Sequence, residues 1–524
     1  MKPETGGFVV LDFGSQLTQL IARRLRELNV YSELLPYDAD IARIRALKPK
    51  GIILSGGPSS VYDEGAPTLS VRSLSEIAPI LGICYGMQLI AHDLGGTVET
   101  SPTREYGFNQ VTWRGHLTSS QTSALAKALG SGSRVWMSHG DVVKTPPAGF
   151  RVCGVSESGH LAAIASERIW AIQFHPEVAH TEKGIELLRA FAFDLCGATA
   201  NWDPPHITSH LLAELRDSVP AGEHVLCGLS GGVDSSVAAL LLTRALGAER
   251  VHCVFVDNGV LRKNEYSDVL AQYKRVGLNL LAVDAQDEFL NALEGVSDPE
   301  KKRKTIGRVF IDVFQRAADK VARDTGRTCG FLAQGTLYPD VIESVSPRGA
   351  SVTIKSHHNV GGLPEKMKMK LVEPLRELFK DEVRMIGAEL GLPRDVLWRH
   401  PFPGPGLAIR IMGAITRPDL ETLRDCDYIF TSELRAKGLY DKIWQAFCVL
   451  LPVKTVGVQG DGRTYEKVLS LRAVTSSDGM TADWYPFEFE FLRQVSNRIT
   501  NEVKGVNRVV YDVTSKPPGT IEWE

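Results

Sequence analysis

Short, unbroken apolar runs closed by glycine or a small polar residue recur along this chain, and stretches of helical periodicity separate them. Phe8-Val-Val-Leu-Asp-Phe13 predicts a buried strand, Gly14-Ser-Gln a turn, and Leu17 to Leu28 a helix. Gly51-Ile-Ile-Leu-Ser55 predicts a second strand, ending in Gly56-Gly-Pro58. Pro79-Ile-Leu-Gly-Ile-Cys84 predicts a third, followed by Tyr85-Gly86 and a helix from Met87 to Leu94. The alternation starts again at His224-Val-Leu-Cys-Gly-Leu229, with a helix over Val237–Leu246 stopped by Gly247. Val251–Asn258 and Asn279–Asp284 read as further strands. Strands alternating with helices predict parallel sheets, whose chemistry gathers at the carboxyl ends of the strands. The last quarter reads differently. Val453–Arg463 suggests strand and turn, Phe487–Val503 a helix and Arg508–Val513 a strand, which together describe a small α+β domain. The expected fold class is multidomain α/β, with two doubly wound parts and this smaller C-terminal part.

Length fits several domains, since 524 residues correspond to about three or four of ordinary size. The 43% hydrophobic and 23% charged content is that of a folded protein, and no apolar run reaches the ~18 residues of a membrane span. The net charge of −3 argues against nucleic acid or an anionic membrane as partner. The eight cysteines are scattered with no Cys-x-x-Cys pair, which suggests neither a zinc site nor a disulfide framework. Met1–Gly7 runs straight into the first strand without a signal-peptide pattern, so a reducing cytoplasm is the expected compartment.

Ser230-Gly-Gly-Val-Asp-Ser-Ser236 lies between a predicted strand and a predicted helix. Such a turn offers backbone N–H groups and a helix N-terminus, which together attract phosphate oxygens. It contains no Lys, so it is not a Walker loop, and it lacks the Gly-x-Gly-x-x-Gly spacing of a dinucleotide fingerprint. Asp234 adds a carboxylate suited to magnesium. An ordinary glycine turn with capping Ser and Asp is the plainer alternative. The string resembles the loop of ATP pyrophosphatases, which implies that Ser230, Gly231, Gly232, Val233, Asp234, Ser235 and Ser236 bind ATP with Mg2+, and that ATP is cleaved to AMP and pyrophosphate.

Cys84 closes its strand between Gly82 and Gly86, and small neighbours of this kind permit the sharp turn of a nucleophile elbow. The following helix N-terminus would favour the thiolate. Alone, a cysteine at such a place can equally be a packed core thiol. Ile169-Trp-Ala-Ile-Gln-Phe-His175-Pro-Glu177 supplies a second strand-like run, carrying His and Glu on one side of extended chain. Nucleophile, base and orienting carboxylate in this order favour catalysis. Gly82-Ile-Cys-Tyr-Gly-Met-Gln88 and His175-Pro-Glu-Val178 resemble class I glutamine amidotransferases. The resemblance implies that Cys84 attacks the glutamine side-chain amide, His175 protonates the leaving ammonia and Glu177 holds the imidazole. It also implies oxyanion donors on the backbone near Gly57 and Tyr85. Ser138-His-Gly-Asp141 either shapes the glutamine pocket or is a polar turn.

Several further segments carry candidate chemistry. Asp257 and Asn258 end a strand where they could touch adenosine. Lys301-Lys-Arg-Lys304 can be read as a nucleic-acid signal or as a solvated helix face. Residues 355–370 are glycine-hinged and basic, as lids often are. Glu373 to Val383 predicts a helix whose Lys380 could reach ATP phosphates or stand in solvent, and Pro401-Phe-Pro-Gly-Pro-Gly406 is linker-like.

Taken together, Asp298-Pro-Glu, Lys302-Arg-Lys, Ala333–Val341, Ser356–Pro364 and Arg399–Leu407 resemble the glutamine-hydrolysing GMP synthase family from about residue 8 onward. The resemblance implies a glutamine amidotransferase domain over 7–199, an ATP pyrophosphatase domain over 200–399 and a C-terminal domain over 400–524. That last domain would make the contact of a homodimer and would bind xanthosine monophosphate (XMP) through Lys516, Thr520, Ile521 and Glu522, with Arg303 and Asp461 assisting. A tRNA-modifying synthetase would be expected to show a basic face or a sulfur-carrying cysteine pair, and a non-catalytic scaffold would lack the catalytic groups.

Overall fold

A computed structural model of the chain describes residues 7–113, 132–338, 340, 369–459, 462–476 and 481–524. The chain forms two compact units, the first ending at His210 and the second starting at Leu211. Among the described residues no helix is long and apolar enough to cross a membrane.

The first unit is built on β1 (Phe8–Asp12), β2 (Ser32–Pro36), β3 (Gly51–Leu54), β4 (Ile80–Ile83), β5 (Thr97–Trp113), β6 (Gly132–Thr145), β7 (Arg151–Ser156), β8 (Leu161–Ala165) and β9 (Ile169–Ile172). These join, among the described residues, in one sheet of order β2-β1-β3-β4-β9-β8-β7-β5-β6. The first five of that order run parallel, and the rest pair antiparallel. Every residue of β3, β4 and β9 is buried. Burial on both faces explains why these segments read as continuous apolar runs with no polar alternation.

The second unit carries β10 (His224–Leu229), β11 (Val251–Asp257), β12 (Leu280–Asp284), β13 (Cys329–Ala333) and β14 (Lys370–Val372) in a parallel sheet of order β12-β11-β10-β13-β14. The chain leaves β10 to one side for β11 and β12, then crosses to the other side for β13. The carboxyl end of β10 is therefore a topological switch point, where open parallel sheets bind ligands. A smaller sheet follows: β15 (Gln445–Gln459) and β16 (Gly462–Thr475) form a long antiparallel hairpin, β17 (Asp483–Trp484) caps it, and β18 (Val506–Tyr511) runs parallel to β16. Helices Arg417–Ala436 and Phe489–Glu502 pack on it.

The sheets of this unit share one core, in which Leu226, Val254 and Leu332 belong to the same apolar cluster as Leu407, Leu469 and Val506. The linker-like reading of Pro401–Gly406 gives way here. Gly406 adopts φ +62°, and a Cβ on it would lie 2.4 Å from the Val260 carbonyl oxygen, while the Leu407 N–H donates to that same oxygen at 2.8 Å. The segment is seated against the end of β11. The expected helix over Glu373–Val383 also starts late, at Lys380, where the Glu382 side chain accepts from the Phe379 N–H in a capping arrangement.

The Lys301–Lys304 run is only partly a solvated face. It lies near the start of helix Pro299–Thr325, and Lys302 is 0% exposed. Its Nζ donates to the carbonyls of Ala408 (3.1 Å) and Ile411 (2.7 Å) and pairs with the Glu524 carboxylate at 2.6 Å. Two further buried cations grip the same terminal segment. Arg410 makes a two-pronged pair with Glu522, and Arg472 donates to the carbonyls of Thr514, Thr520 and Ile521. The terminal loop is thus held by three buried cations. Lys302→Ala would strand two buried carbonyls and a carboxylate, so it should cost about 3 kcal/mol. Thermal denaturation of the variant should show a midpoint several degrees lower, and an unchanged midpoint would mean that the ammonium is dispensable.

Candidate active sites

In the first unit, β4 delivers Cys84 to the N-terminus of helix Tyr85–Asp93 in a strained conformation, φ 53° and ψ −105°. A non-glycine residue holds such angles only when its surroundings enforce them. The enforcement is visible in the two glycines. A Cβ on Gly82 would meet the Gly86 backbone at 2.7 Å, and one on Gly86 would meet the Leu54 carbonyl oxygen at 2.5 Å. The Cys84 N–H is fixed by Ile172 O at 2.8 Å, and the Gly86 N–H by Ser55 O at 3.2 Å. The Gly-x-Cys-x-Gly spacing is a steric requirement of the elbow.

His175 and Glu177 leave the carboxyl end of β9, the strand beside β4. The His175 Nδ1 lies 2.7 Å from Glu177 Oε1, and both residues are buried. The ring reaches the thiol as well: a Cβ on Gly56 would touch His175 Cε1 at 3.1 Å and Cys84 Cβ at 3.7 Å. Burial alone would lower the His175 pKa, but the Glu177 charge and the hydrogen bond with Cys84 outweigh it and push the pKa up to about 10. His175 is therefore held as imidazolium at neutral pH. Gly184, which the sequence reading passed over, allows the His-Pro-Glu turn, since a Cβ there would lie 2.0 Å from Pro176 O.

Among the described residues, no acceptor takes the N–H of Gly57 or of Tyr85. Gly57 itself must be small, because a Cβ on it would lie 2.7 Å from Phe13 O. Ser138–Asp141 is not a turn; it belongs to β6. The Ser138 carbonyl lies 3.6 Å from Cys84 Sγ. His139 lies 2.9 Å from Glu105, whose pKa falls to about 2 because hydrogen bonds from His139, Ser156 and Ser158 overcome the upward pull of burial. Gln173 was missed in the sequence, yet its side-chain N–H donates to Cys84 Sγ at 3.6 Å. Its position two residues before His175 was the available signal.

In the second unit, Ser230–Gly232 links β10 to helix Val233–Leu246, with Gly231 at φ +76°. The serines fold the turn on itself: Ser235 Oγ accepts from the Ser230 N–H, and Ser236 Oγ donates to Gly232 O at 2.8 Å. Arg399 donates to Gly231 O at 2.9 Å and pairs with buried Glu265. Lys380 is neither free in solvent nor far from the turn; its ammonium pairs with Asp234. The other Asp234 oxygen is buried and has no hydrogen-bond partner among the described residues. Asp257 and Asn258 spend one side-chain oxygen each on the N–H groups of Gly259 and Val260.

The terminal segment brings several expected residues near one another. Arg303 donates to the main-chain oxygen of Glu524 at 2.5 Å. Glu522 is engaged by Arg410 and by Gln445 at 2.6 Å. The Thr520 hydroxyl donates to Glu522 O, the Ile521 carbonyl accepts from Arg472, and Lys516 pairs through its main chain with Ala482. Asp461 and most of the 355–370 segment lie outside the described residues.

Comparison with known proteins matches three families along the chain. Class-I glutamine amidotransferase covers residues 9–195, NAD synthase covers 207–308, and the GMP synthase C terminal domain covers 432–523. Glutamine-hydrolysing GMP synthase of Bdellovibrio bacteriovorus is 64% identical over 518 residues, covering 99% of this chain and 100% of the relative. The enzymes so named from Bartonella henselae and Chlorobaculum tepidum are each 55% identical, with 98% of both chains covered. Similarity at this level over whole chains, with the three families in the order the fold presents them, means that the chain belongs to the glutamine-hydrolysing GMP synthase family.

Proposed function

We propose that this chain makes GMP from XMP, ATP and glutamine, and that the residues assembled above carry out the two half-reactions. The observation that carries the proposal is the buried Cys84–His175–Glu177 cluster in a chain that also presents the Ser230–Ser236 turn. Cys84 Sγ attacks the side-chain amide carbon of glutamine, and the resulting oxyanion accepts from the N–H groups of Gly57 and Tyr85. The C–N bond breaks as His175 gives its proton to the departing ammonia. Water then cleaves the thioester to glutamate and the free thiol. The raised His175 pKa supports the proton-donor role, because the group is charged when the leaving nitrogen needs a proton.

At the Ser230–Ser236 turn, the C2 oxygen of XMP attacks the α-phosphorus of ATP and pyrophosphate leaves. Ammonia then attacks C2 and displaces AMP, giving GMP. The turn amides and Lys380 stabilise the pyrophosphate charge, with Lys380 turning from Asp234 toward phosphate. Asp234 suits the magnesium that accompanies ATP: it offers one buried oxygen with no partner among the described residues, and Mg2+ is commonly held by one carboxylate with phosphate oxygens and water. Such an ion would supply charge neutralisation at the phosphates. Lys516, Thr520, Ile521 and Glu522, with Arg303 and Asp461, bind XMP. Glu522, paired with Arg410, offers carboxylate oxygens as acceptors, which suits a purine ring N–H. Exposed Val456, Val458 and Tyr465 on the β15–β16 hairpin support a homodimer through this region.

Cys84→Ala should abolish GMP formation from glutamine while synthesis from added ammonium salt persists; loss of both in a folded protein would contradict two separate centres. Asp234→Asn should slow pyrophosphate release on the order of 100-fold, measured by a coupled pyrophosphate assay. Normal ATP turnover in that variant would remove Asp234 from the metal role. The His175 pair also predicts a pH dependence of stability. Its folded pKa exceeds the unfolded value of about 6.5, so the stabilisation is complete below that pH and is lost as pH rises through about 10. Thermal midpoints measured from pH 7 to 10.5 should therefore fall less steeply in His175→Gln than in the unsubstituted chain.

A further inference from the structure

Gln173 has the geometry of a working group and no role in the reaction as described. Its side chain is 1% exposed, and its amide nitrogen sits 3.6 Å from Cys84 Sγ. Which end of the amide faces the sulfur follows from its neighbours. The Asp141 main-chain oxygen can only accept, so Gln88 must turn its side-chain N–H2 toward it, at 2.9 Å. The same Gln88 nitrogen lies 3.5 Å from the Gln173 side-chain oxygen. Gln173 thus presents its carbonyl to Gln88 and its N–H2 to the sulfur. Reversing it would set two N–H2 groups against each other.

On another flank of the sulfur stands the Ser138 carbonyl, also at 3.6 Å. A carbonyl accepts from a thiol but repels a thiolate, so this neighbour opposes ionisation and Gln173 opposes that bias. The charged groups around the cluster, among the described residues, include His175 and Glu177 from its own segment, Glu105, His139 and Asp141 from β5 and β6, and Arg24, which donates to the Glu177 main-chain oxygen.

We infer that Gln173 is a further catalytic residue for glutamine hydrolysis: an amide donor that holds and aims the Cys84 thiolate, locked in its donating orientation by Gln88 and the Asp141 carbonyl. This rests on Cys84 being the nucleophile. Gln173 forms no covalent bond and passes no proton; it stabilises the negative sulfur until the sulfur bonds to the amide carbon, and it receives the thiolate again when water releases glutamate.

The test uses the full chain. Alkylation of Cys84 by iodoacetamide is followed against pH through the mass of the Cys84 peptide, beside kcat/KM for glutamine and synthesis from ammonium salt. Gln173→Leu removes the donor at similar volume. It should raise the pH of half-maximal alkylation by about one unit and lower kcat/KM about tenfold, the size of one hydrogen bond to a charged group. Gln173→Glu keeps the shape but places an acceptor against the sulfur, so its loss should exceed that of Leu; a packing role would reverse the order. Gln88→Leu, which frees Gln173 to rotate, should show a smaller loss in the same direction and serves if Gln173→Leu fails to fold. The inference is overturned if the Leu variant keeps the unsubstituted alkylation profile and full glutamine turnover, or if the Glu variant outperforms it. Glutamine-dependent synthesis surviving in Cys84→Ala would instead remove the nucleophile reading beneath it.

Discussion

A parallel strand that must turn at once into a helix crowds its last residues against the turn that follows. Both candidate sites in this chain are made from that constraint. At the end of β4, crowding is met by Gly82 and Gly86, and the strained Cys84 between them is held up to the site by its own backbone. At the end of β10, the same turn is made by Gly231 and Gly232, and the serines that follow fold back to brace it. One turn presents a thiol, and the other presents glycines ahead of a helix N-terminus. The difference in chemistry comes from what surrounds each turn: His175 and Glu177 from the end of β9 beside β4, and, after β10, Asp234 of the turn's own helix paired with Lys380.

Buried charge organises the second unit in a way that ordinary core packing does not. Lys302, Arg410 and Arg472 are each 0% exposed, and their partners lie in the last eleven residues or in the segments that seat them. Removing a charge from water costs several kcal/mol, so such groups persist only where partners satisfy them. Here the partners are main-chain carbonyls and three carboxylates, those of Glu524, Glu522 and Asp512, and the consequence is that a terminal segment without regular structure is held in one arrangement. Shape at the proposed XMP site is thus set from beneath, by side chains that a ligand would not touch.

The readable part of this chain was the local part. Apolar runs pointed to the strands because parallel strands bury both faces, and Gly-x-Cys-x-Gly and His-Pro-Glu pointed to the Cys84–His175–Glu177 cluster because each spacing expresses a backbone requirement. What escaped depended on partners far away in sequence. Lys302 looked solvated because its carboxylate lies 222 residues further on. Gln173 drew no reading in its run because its partners, Cys84 and Gln88, sit on another strand end and helix. Pro401–Gly406 looked like a linker because composition cannot reveal the Val260 carbonyl on which it rests. Lys380 was left between phosphate and solvent, and its pairing with Asp234 is a contact across 146 residues that no local pattern encodes.

The central claim is that nitrogen released at the Cys84 cluster ends on a purine activated at the Ser230–Ser236 turn. Turnover of glutamine labelled with 15N in its side-chain amide, together with XMP and magnesium-ATP, tests it directly by mass spectrometry of the nucleotides. One labelled amino group is expected in each GMP formed, with AMP and pyrophosphate appearing in equal amount. Unlabelled GMP, or ADP and phosphate in place of AMP and pyrophosphate, would contradict it.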